Sequence, residues 1–315
     1  MNSLNPELRE LYPFHSHCLN LGGVLYHFVD EQPGESEGAT QPVTAPETIV
    51  AVHGNPAWSF TFRGLIAGLR NDYRVVAPDH VGCGLSDKPS DYPYCLEQHI
   101  RNLETLIERR ELRNVTLVLH DWGGPIGLGY AIRHPENVRR IVLLNTVGFR
   151  LPTVPWFLHL SRLPLIGRAL IQGANAFTIG ATRLGVVRRP LPPAVRRAYA
   201  FPFRRMRDRT AVYRFIQDIP TKVDHPSYAV LARIEQELEK LRRHPILIVW
   251  GARDPVFRRA ALERWRSLFP DAVIEVFDDA GHYVMEDAAE AVLDTIRSFL
   301  QRTKRHESPT RIHAH

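Results

Sequence analysis

The sequence predicts an α/β architecture: a mostly parallel central sheet flanked by helices. Two observations predict it. Short apolar runs recur at residues 48–52, 73–77, 115–119, 141–144, 246–250 and 273–277, with the length and composition of strands buried on both faces. Between most of them lie amphipathic stretches of helix length, at 60–69, 95–109, 126–134 and 258–269, and one more at 286–300 follows the last run. Strands that alternate with helices in this way are joined by crossovers and lie parallel.

In chain order, the N-terminus shows no basic segment followed by an apolar core, so no secretory signal is expected. Residues 23–30 alternate as a half-buried strand does. Residues 31–46, rich in Gly, Ser, Glu, Thr and Pro, read as a surface loop. The strand–helix units then follow up to residue 144. From 152 to 220 no strand-like run stands out, and prolines recur at 152, 155, 164, 190, 192, 193, 202 and 220. Short helical pieces between prolines are expected there, forming a helical lid inserted before the last two strands. The predicted layout is a body at 1–149 and 226–301, a lid at 150–225 and a flexible tail at 302–315.

The chain has 315 residues, 44% hydrophobic and 23% charged, with a formal charge of +6. That excludes a mainly disordered chain, and no apolar run reaches the roughly 18 residues of a membrane span. Cys18, Cys83 and Cys95 show no metal-ligand spacing, and reduced thiols in a cytoplasmic protein are expected. The charge is local. Fourteen of the forty basic residues but three of the thirty-four acidic ones fall between 150 and 225, an excess of +11, while the remainder carries −5. The basic residues show no nucleic-acid motif. The lid arginines either face water or form a docking face for an acidic partner, a pathway enzyme, another copy of the chain or a membrane surface.

Four turns carry candidate chemistry, each just beyond an apolar run. Val118-Leu119-His120-Asp121-Trp122-Gly123-Gly124 joins a strand to a helix. A tight turn there lifts its central side chain, Asp121, above the sheet edge and aims N–H groups at whatever binds. Asp at this position also suits a helix N-cap. His53-Gly54-Asn55-Pro56 can set the N–H of Asn55 opposite that of Trp122 as an oxyanion hole, or be an ordinary turn. His282, in Ala280-Gly281-His282-Tyr283, is placed to act as a base. Asp254, in Trp250-Gly251-Ala252-Arg253-Asp254, could fix its tautomer or bond its own backbone. The order nucleophile, acid, histidine is that of the α/β-hydrolase fold. Some proteins of that fold carry the acid after the strand ending here at Leu144. That stretch, Asn145-Thr146-Val147-Gly148, holds no carboxylate, which favours Asp254.

His53-Gly54-Asn55-Pro56 with Trp58, then Pro78-Asp79-His80-Val81-Gly82-Cys83-Gly84-Leu85-Ser86-Asp87-Lys88-Pro89, then His120-Asp121-Trp122-Gly123-Gly124, resembles the haloalkane dehalogenase family over nearly the whole chain. The acid after the penultimate strand, with Asn in the first motif, resembles that family's third subgroup. Gly82-Cys83-Gly84-Leu85-Ser86, Leu144-Asn145-Thr146, Phe215-Ile216-Gln217-Asp218-Ile219-Pro220 and Gly281-His282-Tyr283-Val284 also resemble the β-lactone decarboxylases of olefin synthesis.

The resemblance implies a hydrolase with an aspartate nucleophile. Asp121 would displace halide from a saturated carbon and form an alkyl ester. The Trp122 indole and the Asn55 side-chain amide would hold the leaving halide. Water activated by His282 would then cleave the ester, with Asp254 stabilising the imidazolium. The alternative is a β-lactone decarboxylase, in which Asp121 opens a strained ring and carbon dioxide departs. An epoxide hydrolase would instead need phenol donors from Tyr199, Tyr213 or Tyr228, and a receptor or assembly subunit would need none of this chemistry. No cofactor or metal is required. The substrate expected is small and hydrophobic, under a lid lined by Trp156, Phe157 and Phe177.

Overall fold

The computed structural model describes residues 5–34, 46–151 and 153–305. Eight strands form one sheet: β1 (Ser16–Leu21), β2 (Val24–Glu31), β3 (Thr48–Val52), β4 (Arg74–Pro78), β5 (Val115–Asp121), β6 (Val138–Thr146), β7 (Ile246–Gly251) and β8 (Val273–Phe277). Their order across the sheet is β1-β2-β4-β3-β5-β6-β7-β8. β1 and β2 are antiparallel to their neighbours and the rest are parallel.

The central runs are apolar throughout because alternate residues enter different layers. Val50, Val52, Leu117 and Leu119 face helices Leu96–Arg109, Gly123–Arg133, Pro226–Glu237 and Arg259–Leu268. Ile49, Ala51, Val118 and Val142 face helices Arg63–Leu69 and Ala289–Arg305. Among the described residues, the regular elements of the connection between β6 and β7 are all helices. Pro164, Pro193 and Pro226 each begin a helix there, where a missing N–H costs nothing. Helix Pro193–Ala200 joins the body's second layer through Val195, Ala198 and Tyr199.

Several expectations need correction. β1 was not expected, because its alternating Ser-His-Cys-Leu-Asn-Leu sequence is too polar for a buried run. β2 is buried over its last six residues rather than half-buried. Asp30 stays inside because Arg74 and Arg110 pair with it. The loop expected from residue 31 therefore starts after Glu31, and its residues 35–45 lie outside the described residues. β6 begins at Val138 because Arg140, fully buried, pairs with Glu47 at 2.8 Å. The tail expected from 302 is helical to Arg305, with Thr303 accepting from Arg140 Nε at 2.5 Å. Residues 306–315 lie outside the described residues, as does Pro152.

Four histidines, His53, His80, His99 and His120, sit wholly inside the body. Burial depresses all four, and holds His99, stacked 4.5 Å from Phe215, at about 3. A histidine lowered in the fold contributes stability that is complete above its unfolded pKa of about 6.5 and is lost as pH falls toward the folded value. Stability is therefore expected to fall by roughly 1.4 kcal/mol per pH unit per such histidine below that point. Urea unfolding as a function of pH checks this, and His99→Phe should flatten the slope. A free energy that stays level from neutrality to mildly acid pH would contradict it.

Candidate active site

β5 ends in Asp121, whose φ is +51°, a left-handed value that Asp tolerates better than most residues. The Thr146 hydroxyl donates to the Asp121 carbonyl at 2.5 Å and fixes the turn to β6. Helix Gly123–Arg133 follows at once. A Cβ on Gly123 would lie 1.9 Å from the Val52 carbonyl oxygen, and one on Gly124 would lie 1.8 Å from Thr146 Oγ1. Only glycines let the helix start so close to β3 and β6. The N-cap of this helix is Trp122, with no side-chain cap. The Asp121 carboxylate is thus not a helix cap, and the turn presents it to the space above the sheet.

The Asn55 N–H donates to Asp121 Oδ1 at 2.7 Å, and the neighbouring Trp122 N–H also favours the ionised carboxylate. The two amides expected to form an oxyanion hole therefore converge. A Cβ on Gly54 would stand 2.1 Å from Asp121 Oδ1, so this approach again requires glycine. Burial raises Asp121 above the usual carboxylate range, against the pull of His282 and of the two N–H groups. The Asn55 side chain departs from its expected role. Its Nδ2 donates to the Val212 carbonyl on lid helix Thr210–Gln217 at 3.2 Å, and its buried Oδ1 has no partner among the described residues.

His282 lies beyond β8, with Nε2 3.8 Å from Asp121 Oδ2 and Nδ1 2.9 Å from Asp254 Oδ2. Asp254 Oδ1 accepts the N–H groups of Val256 and Phe257 at 2.7 and 3.1 Å. Burial works against charge on His282, but Asp254 and then Asp121 outweigh it and raise the imidazole above its ordinary value. The structure thus brings Asp121, His282 and Asp254 together in line.

Two neighbours were missed. Asn145 Nδ2 donates to Asp254 Oδ2 at 2.8 Å and to the Gly251 carbonyl at 3.1 Å, while its Oδ1 accepts the Gly251 N–H at 2.8 Å. Its place at the end of β6, where some proteins of this fold carry the acid, was the signal. His120 Nε2 donates to the His282 carbonyl at 3.0 Å, and burial keeps its ring neutral.

Asp121, Trp122, Asn55 and His282 line a cavity of about 1050 Å³, at the upper end of the roughly 300–1,000 Å³ of ordinary small-molecule sites. Its wall is mainly apolar and includes Phe149, Trp156, Phe157, Phe177, Leu184 and Phe257. The phenols considered as epoxide donors are held elsewhere. The Tyr199 hydroxyl donates to Glu286 at 2.6 Å, that of Tyr213 to the Pro164 carbonyl at 3.5 Å, and that of Tyr228 is bonded to Arg150. Of the three, only Tyr228 borders the cavity.

A profile of the α/β-hydrolase fold matches residues 47–289. The chain is 41% identical over 303 residues to a cis-3-alkyl-4-alkyloxetan-2-one decarboxylase of Shewanella oneidensis, covering 94% of this chain and 92% of that one. It is 39% identical to a decarboxylase of the same name from Xanthomonas campestris pv. campestris, covering 89% and 93%. A haloalkane dehalogenase of Mycobacterium bovis is 30% identical, covering 91% and 95%. Among solved structures, the haloalkane dehalogenase DatA of Agrobacterium tumefaciens C58 superposes with a TM-score of 0.79 at 26% identity, covering 92% and 97%.

Proposed function

The chain belongs to the α/β-hydrolase family, in the haloalkane dehalogenase lineage, and from that premise we propose that it is a decarboxylase of cis-3,4-dialkyl β-lactones. The observation that carries this reading is the seating of Asp121 on the wall of a large apolar cavity, which suits two alkyl chains better than a short haloalkane. The names of the relatives at 41% and 39% identity support it. So does the Asn55 amide, which donates one N–H to the lid carbonyl of Val212 rather than standing open to a halide.

The chemistry balances without water. Asp121 Oδ2 attacks the ring carbon that bears the lactone oxygen, the C–O bond breaks with inversion, and a free carboxylate appears on the neighbouring carbon. The Trp122 indole N–H takes up part of its charge. The bond to that carboxylate then breaks, its electron pair forms the alkene, and the bond to Asp121 breaks. Carbon dioxide leaves and Asp121 is again a carboxylate, stabilised by the N–H groups of Asn55 and Trp122 and by the His282 imidazolium. Inversion followed by anti elimination converts a cis lactone to a cis alkene.

No proton moves in this sequence, so His282 acts by its charge. Alkene formation is expected to persist at pH values where His282 is protonated, because it requires only ionised Asp121. Bromoalkane hydrolysis needs neutral His282 as base and should fall there. His282→Ala should slow alkene formation by less than about 10²-fold, the lower end of a general acid–base contribution. Alkene formation that tracks deprotonation of His282 would sink this role. The function itself is tested by offering the purified protein a cis-dialkyl β-lactone and a brominated alkane. Cis alkene is expected from the first and little bromide from the second. Rapid bromide release with an untouched lactone would return the assignment to a dehalogenase.

A further inference from the structure

The lid is apolar on its outside as well as over the cavity. Trp156 is 73% exposed, Leu165 85% and Leu184 72%, and Leu160, Leu163 and Ile166 are exposed beside them in sequence. Single exposed leucines are ordinary, but a cluster of this kind marks an interaction surface. Trp156, Leu170 and Leu184 also line the cavity, so exposed apolar side chains stand at its mouth. Among the described residues, Arg168, Arg183 and Arg189 are exposed and meet no carboxylate. Two of the three acids of the lid segment are engaged elsewhere. Asp218 is buried on the Leu96 N–H and the Ser227 hydroxyl, and Asp208 accepts from the Arg205 N–H.

We propose that this face of the lid seats on the surface of an anionic lipid bilayer. Trp156, Leu165 and Leu184 would enter the acyl boundary, and the arginines would stay at the headgroup phosphates, their stems covering apolar surface. Charge complementarity favours this occupant, because a second copy meeting it lid to lid would bring the same positive charge against itself. No helix among the described residues is long and apolar enough to cross a membrane, so the contact is one of surface seating. The cavity mouth then faces the acyl layer, and an insoluble dialkyl substrate and its alkene product would pass without crossing water. That last consequence rests on the decarboxylase reading, whereas the seating does not.

The test uses the full chain and no substrate. Vesicles of phosphatidylcholine containing phosphatidylglycerol are expected to sediment the protein at low salt and release it at high salt. Vesicles of phosphatidylcholine alone should hold much less. Tryptophan emission should shift to the blue on binding, since Trp156 is the exposed indole. The double variant Leu165→Glu, Ile166→Glu, whose side chains do not line the cavity, should lose binding and keep its turnover of a soluble short-chain lactone. Arg183→Gln should weaken binding roughly fivefold. Sedimentation with neither vesicle, or undiminished binding by the double variant, would overturn the proposal. So would salt-sensitive binding to an acidic protein by a chain that ignores vesicles.

Discussion

Asp121→Asn is expected to lower alkene formation by roughly 10⁴-fold or more, the scale of loss when a nucleophile that forms a covalent bond is removed. The amide is nearly the same size and can still accept the Asn55 N–H that now reaches Oδ1 at 2.7 Å, so the turn should survive. What disappears is the anionic oxygen that attacks the ring and later departs as a stable carboxylate. Burial already raises Asp121, which makes the anion a stronger nucleophile and places the loss of activity on the acid side of the profile. Turnover of the lactone with thermal unfolding as a control checks the prediction. Activity within tenfold of the parent, in a folded variant, would remove Asp121 from the chemistry.

Asp79→Ala is expected to cost about 3–5 kcal/mol of stability, as removal of one partner from a buried charged network does. Asp79 is fully buried, and its carboxylate accepts from His27 Nδ1 at 2.8 Å, the Ser59 N–H at 2.7 Å and the Leu85 N–H at 2.8 Å. Burial opposes its charge, but His27 and the Leu85 N–H outweigh it and hold the carboxyl at about 2. A Cβ on Gly84, whose φ is +49°, would lie 2.1 Å from this carboxylate. Alanine would leave three buried donors without a partner. Urea unfolding measures the loss, and Asp79→Asn should lie between alanine and the parent. A loss below about 1 kcal/mol would mean that the network relaxes or admits water.

The sheet and the candidate catalytic side chains are legible in the sequence because both are local. A strand buried on two faces is a continuous apolar run, and Asp121, Asp254 and His282 each follow one. What escaped depends on partners remote in sequence. β1 is an edge strand held by β2. Arg140 interrupts the pattern of β6 because its partner, Glu47, stands ninety-three residues away. Asn145 reads as a turn residue until β7 is placed beside it. The Pro78–Pro89 motif carries a family resemblance in the sequence, while its physical content is the buried Asp79. The Asn55 amide suits a halide by sequence alone, because the lid carbonyl of Val212 that takes one of its N–H groups stands 157 residues away.

In the proposed reaction Asp121 opens a lactone and leaves again without hydrolysis. Turnover of a cis-dialkyl β-lactone in heavy-oxygen water, followed by mass analysis of the peptide containing Asp121, tests this most directly. The expected result is cis alkene, no β-hydroxy acid and an unlabelled Asp121 carboxylate after many turnovers. Heavy oxygen in Asp121, with a hydroxy acid as product, would show that water cleaves the ester and would contradict the decarboxylase account.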